Sequence, residues 1–240
     1  MKRVISIVVL LFLPFCGFTQ AIFAHNDYAT PWPFYNAFKL KVSYIEADIF
    51  LRDDHLLVAH DRREIDQSKT LQNMYLDPLA RKIDSLYGVT LMIDVKTEGA
   101  PTLEALVKTL EQYPQLTSSK KLSITISGSY PPPAEWNNYP GYIKFDGRPW
   151  VEYTPEQLQR VTLISTNYTS VSSWGGRGKV PPDELAKLKK VIDEVHKLGK
   201  PVRFWASPDH VNAWEAFIAM GIDVLNTDHI DELATYLADH

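Results

Sequence analysis

Glu46 and Asp48 stand two residues apart in the stretch VSYIEADIFLRDDHLLVAHD, residues 42–61. Apolar Tyr44, Ile45, Ile49, Phe50 and Leu51 around them mark a buried strand. A polar turn at Arg52-Asp53-Asp54 and a second short strand ending at His60-Asp61 follow. Side chains two apart on a strand share a face, so the two carboxylates lie side by side. Such a pair repels itself and is costly to desolvate without a counter-charge, which a bound cation would supply. Asp94, at the end of the apolar run TLMIDV, offers a third carboxylate from a neighbouring strand. An all-oxygen set without cysteine suits one divalent cation, Mg2+ or Ca2+, rather than zinc. The competing reading is a solvated acidic rim, or ion pairs with Lys96 and Lys144.

His25 and His60 end consecutive strands and would flank that cation. Histidine titrates near neutrality, so two of them can serve as base and acid in one displacement. The plainer alternative for either ring is burial against the backbone. His55, His196, His210, His229 and His240 fall on turns or helices and read as surface residues. Lys96, one side-chain period beyond Asp94, is placed to meet an anionic oxygen or to pair with Asp94 itself. Trp205 would either wall a substrate headgroup or fill a core. The loop Trp174-Gly175-Gly176-Arg177-Gly178-Lys179 would close over a phosphate through its backbone N–H groups, or simply connect two elements.

The elements that must position these residues alternate. Eight short apolar runs read as strands: 21–24, the stretch around Glu46, 90–95, 122–126, 142–145, 161–165, 202–206 and 222–225. Helical patterns separate most of them. One, over 70–86, is interrupted at Asp77-Pro78, since proline removes a helix donor. Another, 183–198, has Asp183 as its N-cap and Gly199 as its stop. A third starts at Asp209 with Val211, Trp214 and Phe217 inward and ends at Gly221. Alternation predicts an α/β chain with a parallel sheet, and eight strands predict a single (β/α)8 TIM barrel. An open doubly wound sheet is disfavoured because no Gly-x-Gly-x-x-Gly follows the first strand. Barrel enzymes gather their chemistry at the strands' C-terminal ends. Those ends carry His25; Glu46 and Asp48; Asp94 and Lys96; Ser127; Lys144 and Asp146; Ser165 and Asn167; Trp205 and Ser207; Asn226 and Asp228.

Composition sets bounds. The chain has 240 residues, 45% hydrophobic and 22% charged, with a formal net charge of −4, which fits one soluble domain and gives no basic nucleic-acid groove. Lys2 and Arg3 precede an apolar run from Val4 to Phe15, and small residues follow, the layout of a secretory signal peptide over residues 1–20. Its removal takes two cations and no acid, so residues 21–240 carry −6. Export to a periplasm or the medium is the expectation, with no stable membrane span after cleavage. The sole cysteine, Cys16, lies within the leader, and Pro14-Phe15 before it suit a lipoprotein anchor poorly. Oligomeric state is not set by the sequence.

Taken together, His25, Glu46-x-Asp48, His60-Asp61 and the late acid Asp94 resemble the phosphatidylinositol-phospholipase-C-like phosphodiesterase superfamily, which includes the glycerophosphodiester phosphodiesterases. HNDY at 25–28, IEADIFL at 45–51, LLVAHD at 56–61 and TLQNMYLDPL at 70–79 resemble more closely its branch of proteins related to altered inheritance of mitochondria protein 6. The resemblance implies His25 and His60 as a general acid/base pair, Glu46, Asp48 and Asp94 as ligands of one Mg2+ or Ca2+, and Lys96 as a phosphate contact. Asn26 and Trp205 join Lys96 as substrate-binding residues. One departure stands out: His25-Asn26-Asp27 replaces the His-Arg-Gly usual in glycerophosphodiesterases, leaving charge neutralisation to the cation and Lys96. The implied activity is hydrolysis of a small or lipid-headgroup phosphodiester. The alternatives are a cation-dependent binder of a phosphorylated polyol, which has no need of two histidines, and a glycosidase, which would leave both histidines without a purpose.

Overall fold

The computed structural model describes residues 20–240. The leader and Cys16 lie outside the described residues, apart from Gln20. Nine strands form: β1 Ala21–Ala24, β2 Tyr44–Arg52, β3 His55–Val58, β4 Val89–Val95, β5 Leu122–Gly128, β6 Ile143–Gly147, β7 Val161–Asn167, β8 Val202–Trp205 and β9 Val224–Thr227. Eight of them pair in parallel in the ring β1-β2-β4-β5-β6-β7-β8-β9, which closes through β9 back onto β1. The expected barrel is therefore present. β3 stands outside the ring as the returning arm of the β2 hairpin, antiparallel from Arg52↔His55 to Ile49↔Val58.

Period-two alternation decides what each strand shows to the barrel interior. Phe23, Tyr44, Met92, Leu163 and Val224 pack together there as an apolar floor. One or two periods further along the same strands stand His25, Glu46 and Asp48, and Asp94. The opposite faces, including Ile45, Ala47, Ile49, Leu91 and Ile93, join the larger core beneath the surrounding helices. The longest of these, Pro182–Lys197, buries Leu188, Ile192 and Val195 against it.

Several local expectations are corrected. Pro78 does not break its helix: a π-helical turn, Gln72–Leu76, runs directly into an α-helix over Asp77–Arg81, and the wider turn carries the chain past the missing donor. Asp183 is not the N-cap of its helix, which starts one residue earlier with Pro181 at the cap. The helix expected from Asp209 covers Val211–Met220, because the Asp209 carboxylate is engaged by Trp214 Nε1, Thr227 Oγ1 and the Asp228 backbone N–H. Val211, expected inward, is exposed at its first turn.

Candidate active site

β2 and β4 pair in a register that sets Asp48 beside Asp94 and Glu46 beside Met92. One oxygen from each of Glu46, Asp48 and Asp94 lies within 4.8 Å of the others. Lys96 Nζ sits 2.8 Å from Asp48 Oδ2 and 2.5 Å from Asp94 Oδ2, so the expected ion pairing with Lys96 is real. It leaves oxygens over. Asp48 Oδ1 is buried without a partner. Ser127 Oγ donates to Asp94 Oδ1 at 3.1 Å, and the Asn26 backbone N–H donates to Glu46 Oε2 at 3.1 Å.

Gly128, with φ +72°, opens the space that Asp94 occupies; a Cβ there would collide with Asp94 Oδ1 and lie 2.5 Å from the Val95 carbonyl oxygen. Burial is the largest influence on both Glu46 and Asp48 and raises their carboxyls above the ordinary range. Arg203 and His25 oppose it at Glu46, and Lys96 opposes it at Asp48. Burial pulls the Lys96 ammonium down, but Asp94 and Asp48 outweigh it and hold the amine charged. An orphaned buried carboxylate oxygen, hard oxygen donors throughout and a glycine cradle behind Asp94 fit a small divalent cation.

Both histidines border this cluster. His25 Nδ1 is 2.8 Å from Asp228 Oδ1, which leaves Nε2 on the mouth side, 3.8 Å from Glu46 Oε2. Burial lowers the affinity of this ring for a proton, but the Asp228 hydrogen bond and the Glu46 charge outweigh it, and the net shift is upward. His25 also holds Asp228 below its usual value. His60, two residues beyond β3, places Nδ1 3.3 Å from Asp48 Oδ2 and 3.1 Å from the Tyr28 hydroxyl. That hydroxyl lies 2.8 Å from Asp48 Oδ2 and 2.5 Å from Asn26 Oδ1. Tyr28 thus ties His60 to the acid cluster.

A cavity of about 360 Å3 opens at this end of the barrel, lined by His25, His60, the three carboxylates, Lys96, Ser127, Asp146, Arg148, Arg203 and Trp205. Trp205 is exposed there, so it lines the cavity and does not fill the core. Lys144 does not join the mouth: its Nζ meets the Gln159 carbonyl, just before β7 begins, at the opposite end of the barrel. Asn167 caps a short 3-10 turn. The glycine-rich loop does not line the cavity either. Asn212 Nδ2 donates to the Gly176 carbonyl, and Trp174 Nε1 donates to that of Arg177, so the loop is pinned as a connector. His196, expected at the surface without a role, pairs with Asp223 at 2.8 Å.

Sequence reasoning gave no role to Tyr28, Asp228, Arg148 or Arg203. Arg203 had a usable signal: a cation inside the apolar strand VRFW, two residues before Trp205 and so on its face. It is fully buried, its guanidinium 3.5 Å from the centre of the Phe23 ring and its Nη2 4.0 Å from Glu46 Oε1.

The model of the AIM6-like phosphodiesterase domain matches residues 18–87, and that of the glycerophosphoryl diester phosphodiesterase family matches residues 201–231. The first span contains His25, Glu46, Asp48 and His60; the second contains Arg203, Trp205 and Asp228. Altered inheritance of mitochondria protein 6 from Kluyveromyces lactis is 25% identical over 90% of this chain and 71% of its own length. Its homolog from Arthroderma benhamiae is 24% identical over 90% of this chain and 83% of its own. A crystal structure of a glycerophosphodiester phosphodiesterase from Parabacteroides distasonis superposes with a TM-score of 0.61 at 17% identity, covering 93% of this chain and 98% of that one, and shares the fold. The fold is the barrel of the glycerophosphodiester phosphodiesterases, and over residues 18–87 the chain is similar to the AIM6-like phosphodiesterase domain. Within that fold, the chain resembles the branch of altered inheritance of mitochondria protein 6.

Proposed function

We propose that the protein is an exported, metal-dependent phosphodiester hydrolase that cleaves a small or lipid-derived diester by a two-histidine acid/base mechanism. The observation that carries this reading is the placement of His25 and His60 on one acid cluster, 3.8 Å from Glu46 and 3.3 Å from Asp48 respectively. One histidine takes a proton from the attacking hydroxyl, and the other protonates the leaving oxygen. Asp228 fixes the orientation of His25, and Tyr28 that of His60. Lys96 presents its charge to a non-bridging phosphate oxygen. A divalent cation held by Glu46, Asp48 and Asp94 would supply positive charge against that growing on the phosphoryl oxygens.

The test is hydrolysis of a diester panel by residues 21–240, with and without chelator, beside His25→Ala. The panel holds glycerophosphocholine, glycerophosphoinositol, lysophospholipids and an activated aryl diester. Turnover is expected to require both the cation and His25, the substitution costing roughly 10²–10⁴-fold in kcat. No turnover on any diester, with the cation still bound, would leave a cation-dependent binder of a phosphorylated headgroup. Export is tested separately, by N-terminal sequencing of the secreted or periplasmic protein, which is expected to begin near Ala21.

A further inference from the structure

Arg148 enters the same cavity from the far side. It directly follows β6, and β6 stands four strands from β1 in either direction round the closed ring. The guanidinium is firmly held by one nitrogen. Its Nη1 donates to Asp146 Oδ2 at 2.8 Å and to the Gly147 carbonyl at 2.9 Å, while the Tyr130 ring lies 5.8 Å away. Asp146 Oδ2 also accepts from Ser165 Oγ, and the Arg148 backbone N–H donates to the Tyr153 hydroxyl. Among the described residues, Nε and Nη2 of Arg148 donate to no protein atom.

Charge is unequally shared between the two walls of the mouth. The β2–β4 wall carries Glu46, Asp48 and Asp94 against Lys96. The β6–β8 wall carries Arg148 and Arg203 against Asp146 alone, and Trp205 stands beside them with an apolar face. Burial pulls the Arg148 guanidinium down, and the charge and hydrogen bond of Asp146, with Tyr130 and Tyr153, outweigh it. A diester phosphate within reach of His25, His60 and the three carboxylates lies toward β1, β2 and β4. Arg148 stands on the opposite wall of the mouth, and the free edge of a guanidinium is built to take an oxyanion in two parallel bonds.

We propose that Arg148 is a specificity residue that binds a second anionic group, a phosphomonoester or a carboxylate, on the headgroup of the substrate diester. The assignment rests on the phosphodiesterase reading above. Trp205 lines the same cavity.

Three matched diesters test it: bis(glycero)phosphate, its terminally phosphorylated derivative, and its carboxylate counterpart glycerophosphoglycerate. The wild-type protein is expected to prefer one or both anionic headgroups by about tenfold or more in kcat/KM, chiefly through KM, as charge-assisted hydrogen bonds of this kind warrant. The preferred arm separates phosphate from carboxylate. Arg148→Gln, which keeps an N–H for Asp146 without the charge, is expected to collapse that ratio. Arg148→Lys is expected to restore part of it, and thermal melts establish that both variants are folded.

Turnover without a headgroup preference would overturn the proposal. So would an Arg148→Gln loss that is equal on all three substrates. If neither these three nor the earlier panel is turned over, the phosphodiesterase reading fails; if only these three are refused, it stands, and in both cases calorimetric titration of the same three diesters decides the anion site by itself. Tighter binding of an anionic headgroup that Arg148→Gln abolishes upholds it; equal affinities for all three reject it.

Discussion

At the scale of single residues, the site depends on small spaces and on partners that hold a side chain in one orientation. Gly128 is the clearest case. Its left-handed backbone and the collision awaiting a Cβ at Asp94 Oδ1 mean that Gly128→Ala must push the third carboxylate aside. Binding of Mg2+ or Ca2+, followed by calorimetry, is expected to weaken by roughly 10–100-fold, as when outer-shell partners of metal ligands are lost. Unchanged affinity would place the cation elsewhere. Asp27 makes a different prediction. Its carboxyl is buried, accepts from the Phe34 backbone N–H at 2.6 Å and the Tyr75 hydroxyl at 3.0 Å, and leaves Oδ1 unpartnered. Burial outweighs those bonds and pushes its pKa up from 3.8 to about 6. The folded protein therefore keeps this proton to higher pH than the unfolded chain. The contribution to stability is complete below about pH 4 and is lost as pH rises through 6, on the order of 3 kcal/mol in all. Urea unfolding of wild type against Asp27→Asn is expected to show the wild type losing ground to the variant between those pH values; parallel curves would refute it.

At the scale of elements, the β2–β3 hairpin does the most for function. β2 continues past its pairing with β4 and turns back as β3, and this return brings His60 to Asp48. Leu56, buried in the arm, anchors it. Leu56→Ala is expected to cost about 2–5 kcal/mol of stability and also to lower kcat well below the melting range, because His60 loses its fixed position. Leu188→Ala, an equally buried change on the outer helix Pro182–Lys197, is expected to cost a similar amount with kcat unchanged. Equal kcat for the two variants would remove His60 from the chemistry. The period-two and helical patterns made these strands and most helices legible in the sequence. Pro78 was misread because a rule written for α-helices does not anticipate a π turn, which depends on how the segment packs.

At the scale of the whole molecule, closure of the ring decides which polar residues meet. β1 lies between β2 and β9, so His25 touches both Glu46, 21 residues away, and Asp228, 203 residues away. Among the described residues no helix is long and apolar enough to cross a membrane. The amino-acid sequence alone determined the barrel, the pairing of Glu46 with Asp48 on one face, and the candidacy of His25, His60, Asp94 and Lys96. Each follows from alternation along a strand and from residue chemistry, both of which act over a few positions. The tertiary structure alone decided that Asp228 and Tyr28 hold the histidines, that Lys144 faces the other end of the barrel, and that Arg148 and Arg203 form a cationic wall across from the acid cluster. Those contacts join distant strands, and their register is set by how eight strands close into one ring, a condition that no local pattern encodes.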